Sequence, residues 1–253
     1  ATYVAWNWKA GGSASSNSDG DITSSVSANQ TAGFSIVTYT ATSTATDTVG
    51  HGLGAKPNLI IVKERNGTNH WCVALPDTLG NNEVLQLNLT NAVFAGSAGF
   101  NDTVNTGTTS SVFVSGNGGL TGTSGQNYVA YCFAAKKGYS KFGTYTGNGN
   151  ADGTFVYTGF KPAFVIMKRT DSTNDWFIYD NTRNPFNETN LRISANQSSA
   201  ESTQTTNQID LLSNGFKCRG SAAATNTSGG TYIFIAFAES PFVNSNGIQN
   251  NAR

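Results

Sequence analysis

The chain has 253 residues, 15 of them basic and 15 acidic, so its formal net charge is zero and only 12% of its residues are charged. A length of this order accommodates two ordinary domains or one large β domain. Nucleic acids and anionic membranes bind clusters of Lys and Arg, and a chain with a neutral charge balance gives no indication of such clusters. We therefore expect neither as a partner. No apolar run approaches the roughly 18 residues of a membrane-spanning helix, and we therefore expect no membrane insertion.

The first residues predict a strand followed by a linker. Residues 3–8 (YVAWNW) are similar to a strand near the end of each of two repeats that follow. Residues 11–31 are rich in Gly, Ser, Asn and Asp, a composition typical of linkers and long loops. We therefore interpret residues 1–32 as the terminal strand of a preceding repeat plus a linker. On this interpretation the parent chain extends before Ala1.

The rest of the sequence contains two copies of one segment. Residues 56–63 (KPNLIIVK) match residues 161–168 (KPAFVIMK) at a spacing of about 105 residues. Nearly the same spacing relates residues 33–35 to 138–140, residues 68–71 to 173–176, and residues 128–134 to 232–238. This constancy predicts one repeat over residues 33–137 and a second over residues 138–253, which ends in a C-terminal tail.

Each repeat has the pattern of short β-strands. Runs rich in Val, Ile, Phe, Tyr and Thr alternate with clusters of Gly, Asn, Ser and Asp, without a sustained helical period. Residues 59–62 (LIIV) are continuously apolar, as in a strand covered on both faces. In each copy this strand, a polar turn and a strand beginning at Trp71 or Trp176 predict a hairpin. The pattern favours an all-β fold of two tandem antiparallel β-sandwich domains.

The residues best suited to catalysis do not recur between the copies. Cys72, Cys132 and Cys218 align with unrelated side chains and lack the spacing of disulfides or metal sites, so we interpret them as strand residues with free thiols. His51 and His70 do not recur either, and the acidic residues are scattered. Motifs for nucleotide binding, hydrolysis or zinc are not found. We therefore expect no catalytic residue, no metal, no cofactor and no enzymatic activity.

Trp71 and Trp176 are the duplicated residues with the strongest indication of a role. An exposed aromatic ring anchors ligands and interfaces, whereas an aromatic residue that opens a strand beside a polar turn commonly closes a core. The pattern favours packing, and ligand binding stays an alternative for both residues. Tyr179 follows Trp176 by three positions, which places it on the opposite strand face, and it is a weaker candidate for ligand binding.

Four stretches carry a resemblance to a known family: residues 3–12 (YVAWNWKAGG), 48–54 (TVGHGLG), 157–168 (YTGFKPAFVIMK) and 251–253 (NAR). They are similar to repeat domains of tail-fibre-like structural proteins of tailed bacteriophages, notably those with marine and cyanobacterial hosts. The likeness covers essentially all 253 residues. It implies lectin-like sandwiches along a long virion chain, and it supplies no catalytic or binding residues.

From this resemblance we expect a non-enzymatic bacteriophage virion protein, a tail fibre or another surface fibre or decoration. It would assemble in the reducing cytoplasm of the host, where free thiols persist. The expected partners are other virion proteins, further copies of the chain (a trimer is favoured for a fibre) and a host-surface glycan. The alternative is a glycan-binding module or adhesin of a bacterial surface protein. A polysaccharide depolymerase is a third hypothesis, for which no pair of carboxylates stands out.

Overall fold

A computed structural model describes residues 3–95 and 107–239 of the chain. These residues form strands β1 to β19 in antiparallel sheets, which confirms the predicted all-β sandwich fold. The chain divides into two compact units. Unit 1 comprises Ala1–Val84 and Ala95–Ala134, and unit 2 comprises Leu85–Phe94 and Ala135–Arg253.

Unit 1 pairs a larger sheet with a smaller one. The strands numbered first are β1 (Ser15–Asn17), β2 (Ser24–Asn29), β3 (Phe34–Thr40), β4 (Thr48–Gly50), β5 (Leu59–Glu64), β6 (Cys72–Ala74), β7 (Glu83–Gln86), β8 (Phe94–Ala95), β9 (Val112–Val114) and β10 (Asn127–Phe133). The larger sheet of unit 1 contains β1-β2-β3-β10-β5-β6 in this order, and the smaller sheet is β4-β9. Strand β7 ends and β8 begins inside the segment Leu85–Phe94, which belongs to unit 2. Tyr39 of the larger sheet packs edge-on against Phe113 of the smaller, with ring centroids 5.9 Å apart.

Unit 2 repeats this arrangement. Its strands are β11 (Ser140–Thr146), β12 (Phe155–Tyr157), β13 (Phe164–Arg169), β14 (Trp176–Asp180), β15 (Leu191–Ser194), β16 (Ser202–Thr203), β17 (Ile209–Leu212), β18 (Gly215–Cys218) and β19 (Thr231–Phe237). The larger sheet has the order β11-β19-β13-β14-β15-β16, and the smaller sheet is β12-β18-β17. Tyr145 and Phe216 form the matching edge-on contact between the sheets, at 6.0 Å.

A stacked pair of buried tyrosines recurs in both cores. In unit 1 the rings of Tyr39 and Tyr128 lie 5.4 Å apart, and the Tyr39 hydroxyl donates to the Thr121 carbonyl at 2.8 Å. In unit 2 Tyr145 and Tyr232 lie 4.9 Å apart, and Tyr145 donates to the carbonyl at the equivalent position, at 2.7 Å. A buried hydroxyl without an acceptor is costly, so each pair requires its own loop in place.

Several predicted elements are present where the sequence placed them. The hairpins are β5–β6 and β13–β14, both antiparallel. The apolar run at residues 59–62 lies in β5, and all of it except the half-buried Ile61 is buried. The two terminal strands, β10 and β19, each lie between two partner strands in the larger sheet.

The predicted linker at residues 11–31 is wrong, because this segment contains β1 and β2. Strand β2 pairs with β3, from Ser25 opposite Thr38 to Asn29 opposite Phe34. Its composition is that of a loop, but its alternation is that of a strand, with Val26 buried and its neighbour Ser25 exposed. Residues 11–31 therefore belong to unit 1.

The strand predicted at residues 3–8 is not formed, since residues 3–14 contain no strand in the structure. Strand β10, to which this segment is similar, pairs with β3 and β5, whereas residues 3–8 pair with no strand. The segment belongs to unit 1 and contacts β10, where the ring of Trp8 packs edge-on against Phe133 at 5.9 Å. The predicted C-terminal tail lies mostly outside the described residues, which end at residue 239.

Candidate functional site

Two of the three residues proposed from the sequence as ligand-binding candidates are core residues, and that prediction is wrong for them. Trp176 and Tyr179 are both 0% exposed. The Trp176 indole nitrogen donates to the Gln86 carbonyl at 2.9 Å, and the Tyr179 hydroxyl donates to the Asn207 carbonyl. Neither ring has a face open to an external sugar. The packing interpretation is correct for Trp176.

The two side chains lie on opposite faces of β14, as the spacing predicted. Tyr179 belongs to the hydrophobic core of unit 2 together with Phe177, two positions earlier on the same face. Trp176 lies on the other face, which the segment Leu85–Phe94 covers. In the same unit this segment accepts a hydrogen bond from Asn174 N at the Thr90 carbonyl, 2.9 Å.

Trp71, the third candidate, is half-buried. Its ring stacks on Tyr131 of β10, with centroids 6.3 Å apart and an interplanar angle of 21°. One side of the indole is therefore occupied by protein. Ligand binding at Trp71 stays a prediction.

The cysteines and histidines give no indication of a reactive site. All three thiols are free and buried, and burial raises the pKa of Cys132 and of Cys218 to about 12. Among residues 3–95 and 107–239, no cluster of three His, Cys, Asp or Glu side chains has the geometry to hold a metal ion. Within the same ranges, no helix has the length and apolar character needed to cross a membrane.

An exposed pair of aromatic rings on β12 is the clearest candidate for a binding surface. Phe155 and Tyr157 are 44% and 53% exposed, while Val156 between them points into the core. Strand alternation puts both rings on the outer face of the smaller sheet of unit 2. Large apolar side chains grouped on a surface mark binding sites more often than scattered ones do. We call Phe155, Tyr157 and their cross-strand partners Gly215 and Lys217 the aromatic face.

The backbone opposite the rings has room for them because it carries a glycine. A Cβ atom at Gly215 would lie 3.0 Å from two ring carbons of Phe155 and 2.1 Å from the Val156 carbonyl oxygen. The Phe155 ring therefore packs directly on the sheet. Tyr157 is held by Lys141, whose ammonium lies 5.0 Å from the ring centre and donates to the Tyr157 carbonyl at 2.8 Å.

Charged side chains border the rings. Lys217 forms an ion pair with Asp152 at 2.5 Å, and this hydrogen bond and charge lower the pKa of Asp152. Arg219 contacts Asp210 at 3.1 Å and Asp152 at 3.7 Å. Aromatic surface next to fixed polar groups is the composition of sites that bind sugars and other amphipathic ligands.

Unit 1 covers the equivalent face with its own chain. The core pair Val49–Phe113 has the same register as Val156–Phe216, so Thr48 corresponds to Phe155 and Gly50 to Tyr157.

The cover of unit 1 consists of residues just before β2. A Cβ atom at Gly50 would lie 1.6 Å from the side-chain oxygen of Asn17, which therefore occupies the position where the Tyr157 side chain begins. Asp21 accepts from the Thr48 hydroxyl at 2.7 Å and from its backbone N at 3.0 Å. Among the described residues of unit 2 no segment corresponds to it, because β11 follows β10 after a short connection.

A family model described as "Domain of unknown function (DUF7483)" matches residues 1–241. The chain belongs to this family. Neither the curated proteins nor the solved structures contain a match to the chain.

Sequence reasoning did not find the aromatic face, although a signal for it was present. Residues 155–157 (FVY) are apolar throughout, so the run is typical of a buried strand as much as of an exposed one. Comparing the copies by strand register distinguishes a buried strand from an exposed one, because Thr48 and Gly50 then stand opposite Phe155 and Tyr157 in the alignment. That register is visible only once β4 and β12 are known.

Proposed function

We propose that this chain is a non-enzymatic structural protein of a bacteriophage virion, a tail fibre or surface decoration, and that unit 2 contacts host-surface glycan through the aromatic face. The single observation that carries the glycan contact is the exposure of Phe155 and Tyr157 at positions where unit 1 is covered by its own chain. The virion assignment is supported by the sequence resemblance and by the tandem sandwich architecture.

The geometry suits a weak, repeated contact. A ring-stacking interaction contributes about 0.5–1.5 kcal/mol beyond the area that it buries, so one aromatic face alone binds weakly. Copies of the chain on one particle convert weak contacts into firm attachment, because linked sites raise the apparent affinity by roughly 10²–10⁴-fold. A homotrimeric fibre is the arrangement that we propose for the assembly.

The glycan contact is tested with the full chain on an array of bacterial surface polysaccharides. We expect Phe155→Ala with Tyr157→Ala to abolish the binding seen with the wild type, because the stacking surface is removed. The control is Tyr3→Ala, which removes a residue 88% exposed in another part of the chain. Trp71→Ala tests the remaining sequence candidate in parallel. Undiminished binding by the double variant would overturn the proposed contact.

The virion assignment is tested separately by immunogold labelling of purified phage particles with antibodies to this chain. Label on the particle surface is the expected result. Label confined to bacterial envelopes would favour the alternative, an adhesin of a bacterial surface protein. Release of reducing ends from host polysaccharide by the purified chain would contradict the non-enzymatic part of the proposal.

A further inference from the structure

A pocket of about 340 Å³ opens on the surface of unit 2, beside the loop that joins β14 to β15 and next to Leu211 of β17. Its lining includes Lys161, Asn181 and Phe186. The volume lies at the lower end of the range found for small-molecule sites, about 300–1,000 Å³. We call it the Phe186 pocket.

The loop that forms the pocket is anchored at its start by an ion pair. Asp180 is 3% exposed, and one carboxylate oxygen accepts from the backbone N of Thr182 and of Arg183, at 3.1 and 2.9 Å. The other oxygen accepts from the Arg183 guanidinium at 2.5 Å, and that guanidinium also contacts Glu201 at 2.8 Å. A charged pair with this many hydrogen bonds fixes the direction in which the loop leaves β14.

Two amides fix the remainder of the loop. The Asn184 side-chain oxygen accepts from the backbone N of Asn190 and of Leu191, at 3.2 and 2.6 Å. The Asn187 side chain both donates to and accepts from the backbone of Leu211, at 3.1 and 2.9 Å. The backbone on either side of Phe186 is thereby held, while the Phe186 ring itself is 81% exposed. A large apolar ring held in water by a fixed loop is pre-organised for a ligand.

The equivalent loop of unit 1 carries a carboxylate that the loop of unit 2 lacks. There Lys56, the counterpart of Lys161, forms an ion pair with Asp77 at 2.6 Å. Thr182 occupies the position of Asp77 in unit 2. Within the described residues Lys161 takes part in no ion pair, and the Asn181 amide beside it makes no side-chain hydrogen bond. The cation is retained, and its internal carboxylate is not.

We propose that the Phe186 pocket binds an acidic sugar residue of a glycan, with the sugar carboxylate on Lys161 and the sugar ring on Phe186. The Asn181 amide is placed to bond a hydroxyl group of the sugar. The ligand carboxylate takes the role that Asp77 has in unit 1. The inference rests on the proposed glycan contact for its ligand class, but it requires no residue of the aromatic face.

The test uses the full chain and two probes, methyl glucuronide and the neutral methyl glucoside, followed by backbone amide NMR. We expect the glucuronide to shift signals of residues 181–187 and the glucoside to leave them unchanged. Lys161→Ala should weaken glucuronide binding about two- to fivefold, the size expected for one exposed ion pair, and Lys161→Arg should restore it. Raising the salt concentration should weaken glucuronide binding by the wild type and by Lys161→Arg, but not the residual binding by Lys161→Ala.

The sharpest variant copies unit 1 into unit 2. Thr182→Asp supplies an internal carboxylate to Lys161 and should weaken glucuronide binding at least as much as Lys161→Ala does, without disturbing the fold. Lys56→Ala, the same change as Lys161→Ala at the equivalent position of unit 1, is the matched control and should leave glucuronide binding intact. Phe186→Ala should remove the contact between the ring and the sugar, seen by saturation transfer.

Failure of this inference is distinguishable from failure of the proposed function. Shifts that persist unchanged in Lys161→Ala and Phe186→Ala, equal binding of glucuronide and glucoside, or no shift with either probe would each overturn the acidic-sugar pocket. None of these results bears on the array binding lost by the Phe155 and Tyr157 variants. The double variant of the aromatic face should keep glucuronide binding, because neither Phe155 nor Tyr157 lines the Phe186 pocket.

Discussion

Units 1 and 2 have the same core and different outer surfaces. In each unit, one tyrosine of a stacked pair donates a hydrogen bond to a loop carbonyl at an equivalent position. The same tyrosine packs edge-on against a phenylalanine of the smaller sheet. Outside this core, unit 1 uses Asn17 and Asp21 to cover its smaller sheet, whereas unit 2 exposes two aromatic rings there. The duplicated parts form the two cores, and the binding surfaces that we propose lie where the copies differ.

Two pairs of equivalent lysines show the same division. Lys56 is neutralised by Asp77, whereas Lys161 lines an open pocket. In the other pair it is the lysine of unit 2 that is buried. Lys63 is half-buried, but its counterpart Lys168 is 0% exposed, because its ammonium reaches the Thr90 carbonyl in the covering segment Leu85–Phe94. Burial lowers the pKa of Lys168 to about 8.

The largest expected effect tests that covering segment. Trp176→Ala should lower the free energy of unfolding of unit 2 by about 3–5 kcal/mol, because it leaves a large cavity and removes the bond to Gln86. The matched change Trp71→Ala should cost roughly half as much or less, since that ring is already partly in water. Hydrogen exchange of the full chain, measured on β13–β14 and on β5–β6, reports each unit separately.

Faster exchange confined to β13–β14 in Trp176→Ala is the expected pattern. Equal destabilisation by the two tryptophan variants would mean that Trp176 stabilises unit 2 no more than Trp71 stabilises unit 1. The cover supplied by Leu85–Phe94 would then add nothing to the stability of unit 2. The proposed difference between the two hairpins would then be wrong.

The sequence predicted the parts of the fold that depend on local pattern. The apolar run at residues 59–62, its copy at residues 164–167 and the strands that follow each of them are visible without any tertiary information. β1 and β2 were missed because their Ser- and Asn-rich composition is that of a linker, and only pairing with β3 makes them strands. Local composition does not reveal pairing supplied by another segment.

The candidate sites were harder to predict for the same reason. The burial of Trp176 depends on residues 85–94, whose contact to it spans 90 positions in the chain, so the sequence around Trp176 does not reveal it. Phe186 is a single aromatic residue in a polar loop, which by itself predicts nothing. Its significance comes from the bonds that hold the loop and from the missing counterpart of Asp77.

A smaller effect tests whether the two cores are equivalent. Tyr39→Phe and Tyr145→Phe each remove one buried hydroxyl and its hydrogen bond to a loop carbonyl, which should cost about 1–2 kcal/mol in the unit concerned. Hydrogen exchange on β10 and on β19 measures the two losses in the full chain. Similar losses are expected. A loss in one unit and none in the other would show that the shared geometry is not a shared source of stability.

The smallest effect distinguishes the units by pH, because both histidines lie in unit 1. His51 is 0% exposed; its Nδ1 accepts from Leu53 N at 3.2 Å, so Nε2 carries the proton that faces the Thr109 carbonyl at 3.3 Å. Burial lowers the pKa of His51 below its ordinary 6.5, and the Thr109 carbonyl and the Asp19 carboxylate oppose this only in part.

Since the folded state disfavours the charged ring, His51 stabilises unit 1 fully above about pH 6.5, and this stability is lost as the pH falls from 6.5 towards the folded pKa. One proton limits the slope to about 1.4 kcal/mol per pH unit. Carboxylates with a lowered pKa, Asp21 in unit 1 and Asp152 and Asp171 in unit 2, titrate below 3.8 and outside this window.

Ring NMR of the full chain should show His51 neutral, as the Nε2–H tautomer, at pH 6.5. His51→Gln should abolish that titration, and with it the weakening of β4–β9 protection between pH 7 and 5.5. The β12–β18 pair of unit 2 should remain unchanged over the same range, and an equal loss there would assign the pH response to something other than this histidine.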